Sequence, residues 1–412
     1  MCGAERADHA SLDIVVTGLG AVTAYGWGVE SLWSGLRGGT GAIARFERFD
    51  ATRHRTRLAA EVPTSPEEGR FARRASFADR FAVASAREAL AMAGLPGAPA
   101  GPSTGIFFGS STGGMLESER FYERFLRDPR RRARPGLLAS QQLNGPGDAV
   151  AREIAAEGPS ETVSSACASG AMAIGAALRA LRRREVDVAL AGGSDALCQL
   201  TYAGFNALRS VDDRPSRPFR ADRAGLSLGE GAGVLVLETR AHAARRGARV
   251  LATLAGEAAT CDAYHMTTPQ PEGQGAAAAM RLALEDAGVE PAEVDFVNAH
   301  GTGTPLNDAA EAAALHAVFG DRALTIPVTS TKASIGHLLG SAGAVEALVT
   351  VLCLLRREVH PMPSAGEPDA GLALDLVLGR PRRLQRAVCA LSTNLAFGGA
   401  NAALVFRRAE AA

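Results

Sequence analysis

The chain has 412 residues, 47% of them apolar, with 44 basic and 44 acidic side chains and a formal net charge of zero. That size and apolar content suffice for a large core in one large or two fused domains, and the zero charge gives no global field to hold nucleic acid or an anionic membrane. Six cysteines (Cys2, Cys167, Cys198, Cys261, Cys353, Cys389) lie far apart with no CxxC pair and no histidines at zinc spacing, so neither a disulfide framework nor a metal site is expected, and a reducing cytoplasm fits best.

Glu5, Arg6 and Asp8 precede any apolar run, the wrong order for a signal peptide, and no run approaches the ~18 uncharged apolar residues of a membrane span. Residues 13 to 17 predict a strand ending at Gly18, residues 76 to 94 a helix stopped by Gly94-Leu95-Pro96, and residues 105 to 109 a short buried strand. The run Arg127 to Arg134 reads as a cationic loop, a solvated face or a landing point for an acidic partner. A small-residue helix follows Cys167 to about Arg184, then strands at Val186 to Ala191 and Gly233 to Leu237. Past residue 250 the alternation resumes: helix 275 to 287, strand 294 to 298, helix 308 to 319, strand 326 to 330, helix 342 to 356, and strands near 388 to 392 and 401 to 406. Such alternation predicts an α/β protein of two halves, 1–250 and 251–412.

Three segments carry chemistry. In Thr162-Val163-Ser164-Ser165-Ala166-Cys167-Ala168-Ser169-Gly170 a cysteine stands where an extended segment turns into a helix. Unpaired N–H groups and the positive dipole end there favour a thiolate and lower the thiol pKa, and the cysteine's own amide can form half of an oxyanion hole. Standing alone, a cysteine before an alanine-rich helix is more often a small core residue. Asn298-Ala299-His300-Gly301-Thr302-Gly303-Thr304-Pro305 puts a histidine on a glycine-rich loop at the carboxyl end of a strand, where α/β folds build their sites. Ser330-Thr331-Lys332-Ala333-Ser334-Ile335-Gly336-His337 repeats the strand–loop–helix arrangement and adds the only lysine in the chain, with Glu346 on the next helix. In a sequence that uses arginine everywhere else, a lone lysine marks a place where a planar guanidinium cannot serve. Together, one cysteine and two loop histidines point to thioester chemistry.

These ordered segments make the chain resemble the β-ketoacyl synthase family of the thiolase superfamily, from Val15-Val16-Thr17-Gly18-Leu19-Gly20 to Phe397-Gly398-Gly399-Ala400-Asn401. Two further runs match, Arg217-Pro218-Phe219 through Gly229-Glu230-Gly231-Ala232-Gly233 and Asp262-Ala263-Tyr264-His265-Met266-Thr267. The resemblance implies a thiolase-like fold of two similar α/β halves in αβαβα layers. It implies a condensing enzyme in which Cys167 accepts the acyl group, the amides of Cys167 and Phe397 form the oxyanion hole, and His300 and His337 stabilise the enolate left by decarboxylation of malonyl thioester. Lys332 and Glu346 would order the site, Thr302, Thr304, Thr267 and Thr268 would hold the pantetheine arm, Phe397 would gate the nucleophile, and Thr112 would face the acyl pocket. No organic cofactor is implied. The implied partners are an acyl carrier protein bearing acyl and malonyl groups and a second subunit, either a like copy or a chain-length subunit. Leu395-Ala396 stand before Phe397 where relatives usually have Phe-Gly, which implies a stiffer gate, and Arg73, Arg74 and Arg80 lie near a carrier-docking region.

Two rivals are weaker. Gly109-Ser110-Ser111-Thr112-Gly113 matches a G-x-S-x-G nucleophile elbow, so a serine hydrolase using Ser111 is formally available. A non-catalytic chain-length subunit shares the fold, but Cys167 and both histidines argue against it. Gly18-Leu19-Gly20 is no dinucleotide fingerprint, because Thr23 takes the third glycine's place.

Overall fold

The computed structural model describes residues 13–64, 75–95, 103–128 and 135–409. Cys2, the opening Glu5, Arg6 and Asp8, Arg73, Arg74 and most of the 127–134 cationic run lie outside them.

Eleven strands form the path of one sheet: β1 (Ile14–Thr23), β2 (Thr104–Gly109), β3 (Ser160–Val163), β4 (Val188–Asp195), β5 (Gly231–Thr239), β6 (Ala252–Cys261), β7 (Phe296–Asn298), β8 (Pro327–Thr329), β9 (Asp375–Leu376), β10 (Cys389–Leu395) and β11 (Ala400–Arg408). Their order is β9-β8-β7-β10-β11-β6-β1-β5-β4-β2-β3. Read outward from the β1–β6 junction, one side runs β1-β5-β4-β2-β3 and the other β6-β11-β10-β7-β8, with β9 added at the edge. Each side uses its strands in the order first, fifth, fourth, second, third. The directions match too: β2 is parallel to β3 and β4 as β7 is to β8 and β10, while β5 and β11 run antiparallel to both of their neighbours. β1 and β6 join antiparallel, Ile14 opposite Leu254.

Helices complete the layers: α1 (Phe77–Met92), α2 (Gly145–Ile154), α3 (Ser169–Arg182), α4 (Gln274–Asp286), α5 (Pro305–Phe319) and α6 (Ala342–Arg356). α1 and α2 cover the outer face of the first half-sheet, α4 and α5 that of the second, and α3 and α6 pack against each other between the two, giving αβαβα. The central pair approaches to backbone contact because its facing residues are small. A Cβ on Gly170 would stand 2.8 Å from the Ala344 nitrogen, and one on Gly343 2.7 Å from that of Ala171. Leu339–Arg356, which holds Glu346 and Arg356, is the one helical stretch among the described residues long and apolar enough to span a membrane, and it is 89% buried inside the fold.

The predicted elements recur with shifted ends. β1 runs on past Gly18 to Thr23, because that glycine lets α1 lie on the strand: a Cβ there would be 1.9 Å from the Ala89 carbonyl oxygen. α1 starts at a capping box between Ser76 and Asp79 and stops at Met92, with Gly94 at φ 69°. β4 begins at Val188 and continues through Gly192-Gly193 to Asp195. β6, at the junction, had no predicted counterpart.

Candidate active site

Cys167 lies between β3 and α3, at a turn made tight by Ala166 in the left-handed region, φ 45°. Two hydroxyls hold that strained turn: Ser169 donates to the Ala166 carbonyl (2.6 Å) and accepts from the Ser165 amide (2.8 Å), while Ser111 donates to the same carbonyl (3.1 Å). The thiol is 8% exposed, and the amides of Phe397 and of Cys167 itself both point at the sulfur.

The lowered thiol pKa expected from the helix terminus is overturned. Burial pushes Cys167 up to about 11, against the pull of the Lys332 charge and the two amides, because desolvation of the thiolate outweighs them.

His300 and His337 come from the loops after β7 and β8, edge to face with ring centroids 5.3 Å apart. The cysteine sulfur and a ring nitrogen of each histidine lie within 4.8 Å of one another. Burial first, then the Lys332 charge, hold both imidazoles well below the usual histidine range, so both are neutral at physiological pH. Their tautomers follow from their partners. Nδ1 of His337 accepts the Leu339 amide (3.0 Å), which leaves the proton on Nε2, and Nε2 is buried without a partner. Nδ1 of His300 faces the Lys332 Nζ at 3.1 Å, which makes Nε2 its donor as well.

Lys332 and Glu346, both 1% exposed, stand behind His300 rather than in the cavity wall. The ammonium pairs with Glu346 Oε1, which also accepts Thr331 Oγ1 (3.2 Å), and Asn394 donates to Oε2 (2.6 Å). Burial raises the Glu346 carboxyl in spite of that cation.

A cavity of about 400 Å³ opens onto these groups. Its wall includes Cys167, His300, His337 and Phe397, and all four predicted threonines: Thr267, Thr268, Thr302 and Thr304. Phe397 stacks on Phe205 at 5.7 Å. Ala396 is extended, φ −128°, a conformation alanine adopts freely, and the turn beyond the phenylalanine is made by Gly398 and Gly399 at φ 85° and 79°. The glycine missing at 396 is therefore not where this chain bends.

Two other expectations are corrected. Thr112 does not line the cavity: its hydroxyl donates to Asp195 (2.9 Å) and the Ala196 carbonyl (3.2 Å), so it is bound into the protein rather than turned to a substrate. Ser111 spends its proton on the Ala166 carbonyl, which removes the hydrolase reading. Arg80 is half-buried over the Phe77 ring at 4.1 Å, alongside Arg48 at 3.9 Å, a packing position.

Three buried acids escaped the sequence reading. Glu311 on α5 accepts the amides of His300 (2.8 Å) and Gly301 (2.7 Å) and the Thr393 hydroxyl (2.7 Å), and burial pushes it up to about 7. Asp308, one turn earlier, takes the Thr302 and Phe219 amides. Their spacing of three on an alanine-rich helix directly after the histidine loop was the available signal. The third unforeseen acid, Asp195, closes the apolar strand β4.

Comparison with known proteins agrees along the chain. The family model described as "Beta-ketoacyl synthase, N-terminal domain" matches residues 12–243 and "Beta-ketoacyl synthase, C-terminal domain" residues 251–365. A relative from Synechocystis sp. (strain ATCC 27184 / PCC 6803 / Kazusa), 3-oxoacyl-[acyl-carrier-protein] synthase 2, is 37% identical over 96% of this chain and 98% of its own. Among solved structures, the ishigamide ketosynthase/chain length factor superposes with a TM-score of 0.91 at 34% identity, covering 97% of this chain and 99% of that one. A type II polyketide synthase ketosynthase, solved with its acyl-carrier protein and bound to the hexaketide, gives 0.87 at 29% identity over 96% and 99%.

Proposed function

The chain belongs to the β-ketoacyl synthase family, and from that premise we propose how its own residues divide the work of decarboxylative condensation. The enzyme is an acyltransferase that joins a carrier-bound acyl chain to a malonyl unit and releases carbon dioxide. Cys167 attacks the acyl thioester, its proton leaves with the departing carrier thiol, and the oxyanion formed is met by the amides of Cys167 and Phe397. Malonyl thioester then enters along Thr267, Thr268, Thr302 and Thr304. The Nε2–H groups of His300 and His337 donate to its carbonyl oxygen, carbon dioxide departs, and the enolate carbon attacks the acyl-cysteine. The C–S bond breaks, the Cys167 thiolate takes a proton from solvent, and the product is a β-ketoacyl thioester two carbons longer. Lys332, held by Glu346, fixes the His300 tautomer from behind.

The observation that carries this reading is the pair of neutral histidines beside Cys167, each with Nδ1 engaged from outside the cavity. An imidazole so fixed donates to a developing oxyanion without first losing a proton.

Incubation with acyl-carrier proteins followed by mass spectrometry tests the reading. An acyl adduct on the Cys167 peptide is expected, and Cys167→Ala should lose both adduct and condensation. Condensation at the full rate by Cys167→Ala would overturn the assignment.

The partners we propose are an acyl carrier protein and a second subunit, a like copy or a chain-length subunit. Residues 1–250 and 251–412 form the two functional halves. All five described cysteines are free, which supports a reducing cytoplasm as the working compartment.

A further inference from the structure

Asp195 ends β4 with its side chain fully buried, and among the described residues no cation pairs with it. Six donors stand in for a counter-ion. Oδ1 takes the Ser110 hydroxyl (2.7 Å), the Thr112 amide (2.8 Å) and hydroxyl (2.9 Å), and the Gly113 amide (3.3 Å); the Ser111 amide reaches both oxygens (3.0 and 2.9 Å). Oδ2 takes the Gly340 amide at 2.6 Å, across 145 residues of sequence. Residue 340 has to be glycine for this contact, since a Cβ would lie 2.7 Å from both Asp195 Oδ2 and the Ser111 nitrogen.

Each end of this cluster reaches a reacting group through one more link. On the first side, Ser111 is pinned by Asp195 and its hydroxyl holds the carbonyl of Ala166, the strained residue before Cys167. On the second, Gly340 follows Leu339, whose amide occupies Nδ1 of His337 and leaves the proton on Nε2. One carboxylate therefore spans the turn that presents the nucleophile and the turn that orients a histidine, and these turns belong to different halves of the sheet.

We propose that Asp195 is a positioning residue for condensation, fixing the distance and orientation of the His337 donor relative to Cys167. The inference rests on the roles assigned above to those two residues. A carboxylate suits the task because it offers acceptors in two directions, toward the 110–113 loop and toward Gly340. An amide has only one acceptor: in Asp195→Asn the remaining oxygen keeps the larger group of donors, and the NH2 group faces the Gly340 amide, donor against donor.

The test measures two partial reactions of the full-length enzyme. One is acylation of Cys167 by acyl-carrier protein in a single turnover; the other is carbon dioxide release from malonyl-carrier protein with no acyl donor. Asp195→Asn should slow decarboxylation at least about tenfold, because small misplacements of a donor are costly, while acylation stays within about threefold. Ser111→Ala should give the opposite split, since it removes one of the two hydroxyls that hold the Ala166 carbonyl and leaves Gly340 tied. If Asp195→Asn does not fold, Ser111→Ala carries the test alone, with slowed acylation and spared decarboxylation as the expected split; Gly340→Ala would not serve, because its Cβ would press on Ser111 as well as on Asp195. Equal loss in both reactions, or no loss in either, would overturn the proposal. A wild-type enzyme that performs neither reaction would instead refute the assigned function.

Discussion

Nδ1 of His300 lies 3.1 Å from the Lys332 ammonium, so the cation holds this histidine in the Nε2–H form by occupying its other nitrogen. An arginine could not take this place on equal terms, because its planar fork would meet Glu346 and the ring in a different geometry.

Removing either member of the Lys332–Glu346 pair strands a buried charge, which costs roughly 3–5 kcal/mol. Lys332→Met and Glu346→Leu should each lower the melting temperature sharply. The double variant should recover most of the stability and none of the decarboxylation. A double variant as unstable as the two single losses combined would contradict the pairing.

With the Cys167 thiol pushed up to about 11, the resting enzyme holds little thiolate at neutral pH. Alkylation by iodoacetamide should therefore quicken by about tenfold per pH unit from 7 to 9. A plateau below pH 8 would mean a thiolate already formed.

His337→Ala removes a donor whose Nε2 has no other partner. Carbon dioxide release should fall by about 10² to 10³, the usual cost of one oxyanion donor, while acyl transfer to Cys167 suffers less. Stopped-flow measurement of the two steps separates them, and equal loss would argue against a donor role at the malonyl carbonyl.

Glu311 sets a pH dependence of stability. Its carboxyl keeps a proton up to about 7 when folded, whereas a glutamate ordinarily gives it up near 4.5. Between those values the folded state binds the extra proton, so stability falls as pH rises, by about 1.4 kcal/mol per unit, and is level above 7. Glu311→Gln should flatten melting temperature against pH in that window. An unchanged slope would assign the dependence elsewhere.

Thr112→Val deprives Asp195 of one donor and should cost about 1–3 kcal/mol of stability. Because the hydroxyl is turned away from the cavity, the distribution of accepted chain lengths should not move. A changed distribution in the product assay would return Thr112 to the acyl pocket.

The sequence made the groups that meet at the cavity legible because each stands on a loop or turn directly after an extended strand, where local pattern marks them. Cys167, His300, His337 and the four threonines all reach one cavity. What stayed hidden depends on the third dimension. β6 is built of alanine, glycine and threonine with little strand character of its own, and its place beside β1 comes from pairing. Asp195 gave no local signal, since its partners lie 82 to 145 residues away. The Cys167 pKa was misjudged because helix polarity can be read from sequence and burial cannot.

The matching strand order on the two sides of β1 and β6 has a consequence for how the enzyme could be taken apart. The nucleophile belongs wholly to the first side and both histidines to the second. A chain severed in the connection from β5 to β6 would yield one fragment with an acyl-accepting thiol and no donors for the malonyl carbonyl, and another with two hydrogen-bond donors and nothing to acylate. Activity is a property of the seam, and it would return only as far as the fragments rejoined along β1–β6 and α3–α6.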